Sequence, residues 1–184
     1  PGALEHAVNF GPGLSGVLCA PEGEANGRAV IFCNTSGEPK AGIGRFATTA
    51  ARTLARQGVM SLRFDFAGIG DSEGAERGHM YETSRLADFA AAVSLIAAEG
   101  GREIVVAGVC SGAHHALHAF MADPRVSAAF AVSPKLVWRA GESLAPDMRD
   151  NGRATGAYMQ SLKDPASWLR LLKGGIDVKA VAGT

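Results

Sequence analysis

Residues 105–116, VVAGVCSGAHHA, include the side chain best suited to covalent chemistry. Cys110 has a glycine two residues before it and another two residues after it, between an apolar segment and an alanine-rich one. This spacing is typical of a sharp turn from a strand into a helix, where flanking side chains would collide. The first amides of such a helix and the positive end of its dipole favour a thiolate or an oxyanion. The pattern predicts that Cys110 is a nucleophile.

The positions of the glycines distinguish Cys110 from its neighbour Ser111. A pattern centred on Ser111 would require glycine at positions 109 and 113, where the sequence has valine and alanine. We therefore expect Ser111 to contribute its backbone N–H to an oxyanion hole. The alternative interpretation is a small buried cysteine at the end of a strand.

The segments around this turn predict an α/β fold. LEHAVNF and LSGVLCAP, on either side of GPG, predict an antiparallel hairpin. Strand-like and helix-like segments then alternate, which predicts a mostly parallel sheet with helices on both faces. In the two helices before the turn, we expect the apolar stripes to be Phe46, Ala50 and Leu54, and then Leu86, Phe89, Ala90, Val93 and Ile96.

The pattern changes towards the C-terminal end of the sequence. Residues 1–137 are predicted to form the core of the fold, and residues 138–184 a cap-like segment of short helices and turns. The cap-like segment is more polar and includes Trp138 and Trp168, which either line an acyl pocket or pack within the cap.

Two stretches carry a family resemblance: LRFDFAGIGDSEG, and GVCSGAHHALHAFMADPRVSAAFAVSP with its cysteine turn. They resemble the N-terminal part of the α/β-hydrolase superfamily, over residues 4–138. With a cysteine at the nucleophile position, the sequence resembles the dienelactone hydrolases. The combination of this cysteine with the RFD loop resembles the exosortase-system-associated hydrolases of bacteria. The resemblance implies an esterase, thioesterase or acyltransferase that works through an S-acyl intermediate without a cofactor.

The resemblance also implies roles for two loops. The second oxyanion donor of the superfamily lies after the third strand, where this sequence reads NTSG, so Thr35 or Ser36 is the candidate; a simple polar turn is the alternative. Asp65 and Asp71, in the RFD loop, are expected to be structural, fixing the loop beneath the site by side-chain bonds to the backbone.

The acid and the histidine of the superfamily triad are expected on later strands, and every histidine of this sequence precedes the cap-like segment. Three explanations stay open: the sequence is the first part of a longer hydrolase, it is a non-catalytic binding module or inactive truncated chain, or a local group replaces the base. For the last, His114 follows the nucleophile by one helical turn. His114 and His118 have the spacing of a zinc pair, but without an evident third ligand we predict no metal.

Composition excludes several partners. Eighteen basic and eighteen acidic residues give a formal net charge of zero, and the absence of a basic run argues against nucleic acid. No apolar stretch reaches the roughly 18 to 20 residues of a membrane span. The first residues lack a secretory pattern, and three cysteines without a CxxC motif fit reduced thiols, so we expect a cytoplasmic protein. We expect a small-molecule acyl substrate, and an apolar sheet edge that favours a homo-oligomer or pairing with a C-terminal part.

Overall fold

The computed structural model describes residues 2–35, 37–75, 81 and 83–136. The predicted cap-like segment, with its tryptophans, and Ser36 lie outside the described residues, so the domain boundary at 137 stays a prediction.

Six strands of the described residues form one sheet. They are β1 (Ala3–Phe10), β2 (Leu14–Pro21), β3 (Arg28–Phe32), β4 (Met60–Phe64), β5 (Glu103–Val109) and β6 (Val126–Val132). The strand order is β1-β2-β4-β3-β5-β6. β1 and β2 form the predicted antiparallel hairpin, β2 also runs antiparallel to β4, and the other three pairings are parallel. The predicted, mostly parallel sheet is therefore confirmed.

Three α-helices connect these strands: α1 (Phe46–Ala55), after a short 3-10 helix at Ile43–Arg45, α2 (Leu86–Ala98) and α3 (Ser111–Ala122). Alanines of α1 pack with Phe32 and Cys19 in one hydrophobic cluster. Residues of α2 and α3 belong to a second, larger cluster that contains Phe64 and Phe89. The sheet is thus covered on both faces, as predicted. Within the described ranges, no helix combines the length and apolar character needed to span a bilayer.

The predicted apolar stripes of α1 and α2 were wrong at particular positions. Phe46, Leu86 and Ala90 are exposed, whereas Asp88 is buried. Asp88 occupies the inward position because its Oδ2 accepts the Ala67 amide at 3.0 Å and lies 3.7 Å from the Arg85 guanidinium. A buried carboxylate with these partners is tolerated in a position that periodicity assigns to an apolar residue.

The order of the parallel strands determines where a site can form. β3 lies between β4 and β5 in the sheet. The chain therefore runs from β3 through α1 to β4 on one side, and then from β4 through α2 to β5 on the other side of β3. The loops that follow β3 and β5 therefore diverge to opposite faces of the sheet and leave a crevice at their carboxyl ends. In open α/β sheets, ligands bind at this kind of crevice.

Strand β6 is the edge of the described sheet beside the crevice. Phe130 and Val132 on this strand expose 59% and 40% of their surface. The edge is apolar, as expected from the sequence. The expectation of a further chain or segment that pairs with it stays a prediction.

The hairpin is joined to the rest of the fold by a carboxylate with two cationic partners. Glu5 on β1 contacts Arg63 of β4 at 2.8 Å and Arg52 of α1 at 2.6 Å. The Arg63 side chain is only 10% exposed, so removal of the Glu5 charge leaves a poorly solvated cation.

We expect Glu5→Gln to lower the free energy of unfolding by about 2 kcal/mol, measured by urea denaturation. Glu103→Gln is the matched control, because Glu103 pairs with Arg28 where both side chains are more than half exposed. The control is expected to change stability little. Equal losses in the two variants would contradict the structural role of Glu5.

Candidate active site

Cys110 occupies a strained turn between β5 and α3. Its φ of 53° and ψ of −114° are unusual for a residue with a side chain, and it precedes the first residue of the helix. Its amide donates to the Val132 carbonyl at 2.9 Å, and its carbonyl accepts the His114 amide at 3.2 Å. Strain of this kind persists only where the surroundings hold it, and it is typical of functional positions.

The two glycines of the motif are required by close backbone contacts. A Cβ at Gly108 would overlap the Gly112 carbonyl group and lie 2.7 Å from the Ala113 nitrogen. A Cβ at Gly112 would lie 2.5 Å from the Asn34 carbonyl oxygen. The turn can therefore close, and α3 can approach the loop after β3, only with glycine at both positions.

The structure places Cys110 and Ser111 in different environments. Cys110 is partly exposed at the turn, whereas Ser111 is the first residue of α3 and is 1% exposed. A buried hydroxyl is poorly accessible to a substrate. The amide of Ser111, in the first turn of α3, belongs to the part of a helix that can donate to an anion.

The loop after β3 contacts the turn from the other side. The Thr35 hydroxyl donates to the Val109 carbonyl at 2.8 Å, so this side chain is occupied and only the Thr35 backbone can act as an oxyanion donor. The Cys33 thiol faces the carbonyls of Ala107 at 3.4 Å and Gly112 at 3.2 Å. The structure thus brings Thr35 next to the cysteine turn, and its role as an oxyanion donor stays a prediction.

A buried polar network fixes this loop to the one after β4. Asp65 is fully buried and accepts the Asn34 side-chain amide at 2.9 Å, the Lys40 amide at 2.6 Å and the Lys40 ammonium at 2.7 Å. The Asn34 side-chain oxygen in turn accepts the Phe66 amide at 2.8 Å. The contacts of Asp65 join it to the loop that carries Thr35, which agrees with its expected structural role.

Asp71 belongs to the same network but lies at the surface. Its carboxylate accepts the Lys40 ammonium at 2.5 Å, and its side chain is 78% exposed. The hydrogen bond from Lys40 lowers the pKa of the Asp71 carboxyl. Lys40 therefore joins two carboxylates, the buried Asp65 and the exposed Asp71. Asp65 depends more on this cation, because water does not solvate its charge.

Tyr81 is a residue of the site that sequence reasoning missed. Its hydroxyl lies 3.6 Å from the Cys110 sulfur, and the residue is 8% exposed. Burial, followed by the interaction with Cys110, raises the pKa of Tyr81 to about 12. Tyr81 precedes α2, which begins at Leu86.

His114 is buried beneath Tyr81, and its ring is held by several contacts. Nδ1 lies 2.9 Å from the Lys135 carbonyl, and because a carbonyl only accepts, Nδ1 carries the proton. The ring meets Tyr81 edge to face at a centroid distance of 5.1 Å and lies 4.2 Å from the His118 ring. Nδ1 is therefore directed to a carbonyl and not to Cys110, and the role of His114 as a base stays a prediction.

His114 and His118 have the spacing of a metal-binding pair, one helical turn apart on α3. Burial, followed by the charge of His114, lowers the pKa of His118. Among the described residues, no group of three or more His, Cys, Asp or Glu side chains is placed to hold a metal ion.

An apolar cavity of about 160 Å³ opens beside the cysteine turn, on the face of the sheet that carries α1. It is lined by residues from β3, the following loop, α1, β5 and β6, among them Phe32, Thr35, Phe46, Val109 and Phe130. A small apolar group can be held in this cavity next to the end of β5.

The fold and the cysteine turn define the class of the protein as an α/β hydrolase. A family model described as serine aminopeptidase, S33 (Hydrolase_4), matches residues 29–175, and the chain belongs to that family. A comparison with curated protein sequences finds no match.

Solved structures with a similar fold cover most of the chain. DcsB in complex with its substrate analogue aligns at 22% identity and a TM-score of 0.64, over 91% of this chain and 54% of its own. The esterase Pf2001 of Pyrococcus furiosus aligns at 20% identity and a TM-score of 0.59, over 72% and 52%. An alpha-beta serine hydrolase homologue from Coxiella burnetii aligns at 22% identity and a TM-score of 0.57, over 74% of this chain and 65% of its own. The chain spans about half the length of the first two structures.

We expect Asp65→Asn to destabilise the chain by about 3 kcal/mol, because it removes a buried charge from the Lys40 ammonium. Asp71→Asn removes the exposed carboxylate of the same cation and is expected to change stability little. Urea denaturation of both variants measures the difference. If Asp71→Asn cost as much as Asp65→Asn, burial would not determine the role of Asp65.

We also expect iodoacetamide at pH 8 to modify Cys110 before the other two cysteines, because the thiolate is the reactive form. Burial raises the pKa of the Cys33 thiol to about 12, and burial followed by the charge of Glu5 raises that of Cys19. Peptide mass spectrometry over time gives the three rates separately. Labelling of Cys19 or Cys33 as fast as that of Cys110 would refute the assignment of Cys110 as the reactive thiol.

Proposed function

We propose that this α/β hydrolase is an ester or thioester hydrolase, or an acyltransferase, in which Cys110 is the nucleophile. The proposal is carried by the strained backbone of Cys110 at the start of α3, with glycines two residues away on either side. This geometry presents a sulfur atom above the carboxyl ends of the parallel strands. The expected partner is a small-molecule acyl substrate, and the proposal requires no cofactor.

In the acylation step, the Cys110 thiolate attacks the carbonyl carbon of the substrate. A carbon–sulfur bond forms, and the carbonyl π electrons move onto the oxygen. When the tetrahedral intermediate collapses, the oxyanion electrons re-form the carbonyl bond, the bond to the leaving alkoxide or thiolate breaks, and the leaving group takes a proton from the solvent. The product is an S-acyl enzyme, which water or an acyl acceptor then attacks at the same carbon.

Backbone amides are proposed to hold the oxygen of the tetrahedral intermediate. The Ser111 amide is in the first turn of α3, and the Thr35 backbone is held near it by the bond from the Thr35 hydroxyl to Val109. Preorganised donors in such a position stabilise the charge that develops in the transition state and need little rearrangement. Ser36, the other candidate donor, lies outside the described residues.

The cavity beside the turn favours a short, apolar acyl group. Phe32, Phe46 and Phe130 line a volume of about 160 Å³, which suits a few carbon atoms. The described residues that line it include no cation that could pair with a carboxylate. The description of the Pyrococcus furiosus protein as an esterase is consistent with an ester substrate. The chain covers about half the length of the first two solved structures, so activity of this kind is a proposal for the whole protein.

Deacylation requires a base that takes a proton from the attacking water. His114 directs its protonated Nδ1 to the Lys135 carbonyl, so this nitrogen cannot accept the proton of the attacking water. The contacts of the described residues assign no base beside the sulfur, and we therefore expect acylation of this chain to be faster than the release of its acyl group.

We expect the chain to release p-nitrophenol from p-nitrophenyl acetate in a burst of about one equivalent, followed by slow turnover. Mass spectrometry should find one acetyl group on Cys110. Cys110→Ala should abolish the burst, because no sulfur remains at the turn. Cys19→Ala, which removes a buried thiol elsewhere, should retain it.

Two outcomes would contradict this proposal. A burst that persists in Cys110→Ala would place the nucleophile on another residue. The absence of both a burst and an acyl adduct in the folded chain would favour the non-catalytic binding module.

A further inference from the structure

We propose that Tyr81 is a further catalytic residue of this site, because its hydroxyl donates a hydrogen bond to the Cys110 sulfur and stabilises the thiolate. The inference rests on the proposed function, since it concerns the same nucleophile. Tyr81 lies outside the sequence motif and is assigned by its contact with the reacting atom alone.

The position of the hydroxyl is fixed by packing. Its oxygen lies 3.6 Å from the sulfur, a length suited to a hydrogen bond with this large atom. The Tyr81 ring stands nearly perpendicular to that of His114, at an interplanar angle of 81°. His114 is in turn held by the Lys135 carbonyl, so the tyrosine rests on a ring that is itself fixed. Edge-to-face packing of this kind orients an aromatic side chain.

Which atom donates in the hydrogen bond between Tyr81 and Cys110 depends on which of the two groups loses its proton. With a thiol, either atom can donate, whereas a thiolate only accepts. Burial raises the pKa of Tyr81 to about 12, so the phenol keeps its proton throughout the range, around pH 8.5, in which an ordinary thiol ionises. The phenol is therefore the donor and the sulfur anion the acceptor.

This hydrogen bond acts at two points of the reaction. In the resting chain it stabilises the thiolate that attacks the acyl carbon. As the carbon–sulfur bond forms, negative charge moves from the sulfur to the carbonyl oxygen, and the hydrogen bond weakens. In deacylation the carbon–sulfur bond breaks and its electron pair returns to the sulfur. Tyr81 then donates its hydrogen bond to the departing thiolate. The phenolic proton stays on its oxygen throughout.

The neighbouring titratable groups of α3 are histidines. His114 contacts the Tyr81 ring, and His118 contacts His114. The pKa of His118 is lowered by burial and by His114, so this ring is neutral above pH 7. Measurements above pH 7 therefore avoid the titration of His118.

The test measures the rate of Cys110 alkylation by iodoacetamide between pH 7 and 10. Tyr81→Phe keeps the ring but removes the donor, and we expect its half-maximal rate to move to higher pH by about one unit, with alkylation about tenfold slower at pH 7. In a Tyr158→Phe background Tyr81 is the only tyrosine of the chain. Its replacement by 3-fluorotyrosine, a stronger donor, is expected to move the profile to lower pH.

Opposite shifts in the two variants support a hydrogen bond, since a packing role would not change sign with donor strength. The proposal is overturned if both profiles coincide with that of the parent chain, or if both shift in the same direction. Loss of the p-nitrophenyl acetate burst in Cys110→Ala, together with an unshifted Tyr81→Phe profile, overturns the role of Tyr81 and leaves the nucleophile intact. A burst that survives Cys110→Ala removes the proposed function itself.

Discussion

The rest of the site depends on the close approach of α3 to the loop after β3. The Gly112 backbone and the Asn34 carbonyl are so near that a single Cβ would lie 2.5 Å from the Asn34 oxygen. This approach brings the first turn of α3 to the carboxyl end of β3, at the point where the strand order reverses. It also requires the chain to leave β5 abruptly, which Cys110 does with a positive φ. The strain at Cys110 and the crevice above the sheet thus share one geometric origin.

A strained turn needs surroundings that do not yield, and here polar contacts supply them. Asp65 has no solvent exposure, and its desolvation is offset by hydrogen bonds from Asn34 and Lys40. These bonds join the loops after β3 and β4, and the Thr35 hydroxyl continues the connection to Val109. Fully partnered buried networks of this kind specify one arrangement where apolar packing alone would allow several.

The sequence was informative where chemistry is encoded by neighbours along the chain. The glycines around Cys110 predicted the turn, and alternating segments predicted the sheet. The sequence was uninformative where the partners are distant along the chain. Tyr81 contacts Cys110 from 29 positions away, and the residues next to Tyr81 in the sequence form no motif that indicates a role in the site. The error at Leu86 and Asp88 has a similar cause. Periodicity assigns buried positions by the polarity of the residues, and it does not predict the amide and the guanidinium that contact Asp88 in the fold.

A cysteine at this turn changes what the site requires of its surroundings. The family is described by serine enzymes, and a serine hydroxyl needs an adjacent base before it can attack. A thiol ordinarily ionises near pH 8.5, so a cysteine reaches its reactive anionic form far more readily than a serine hydroxyl does. Under the proposed function, acylation therefore depends on groups that lie within residues 2–136, whereas deacylation still requires a base. With a cysteine nucleophile, the first half-reaction can therefore proceed without the base that the second one requires.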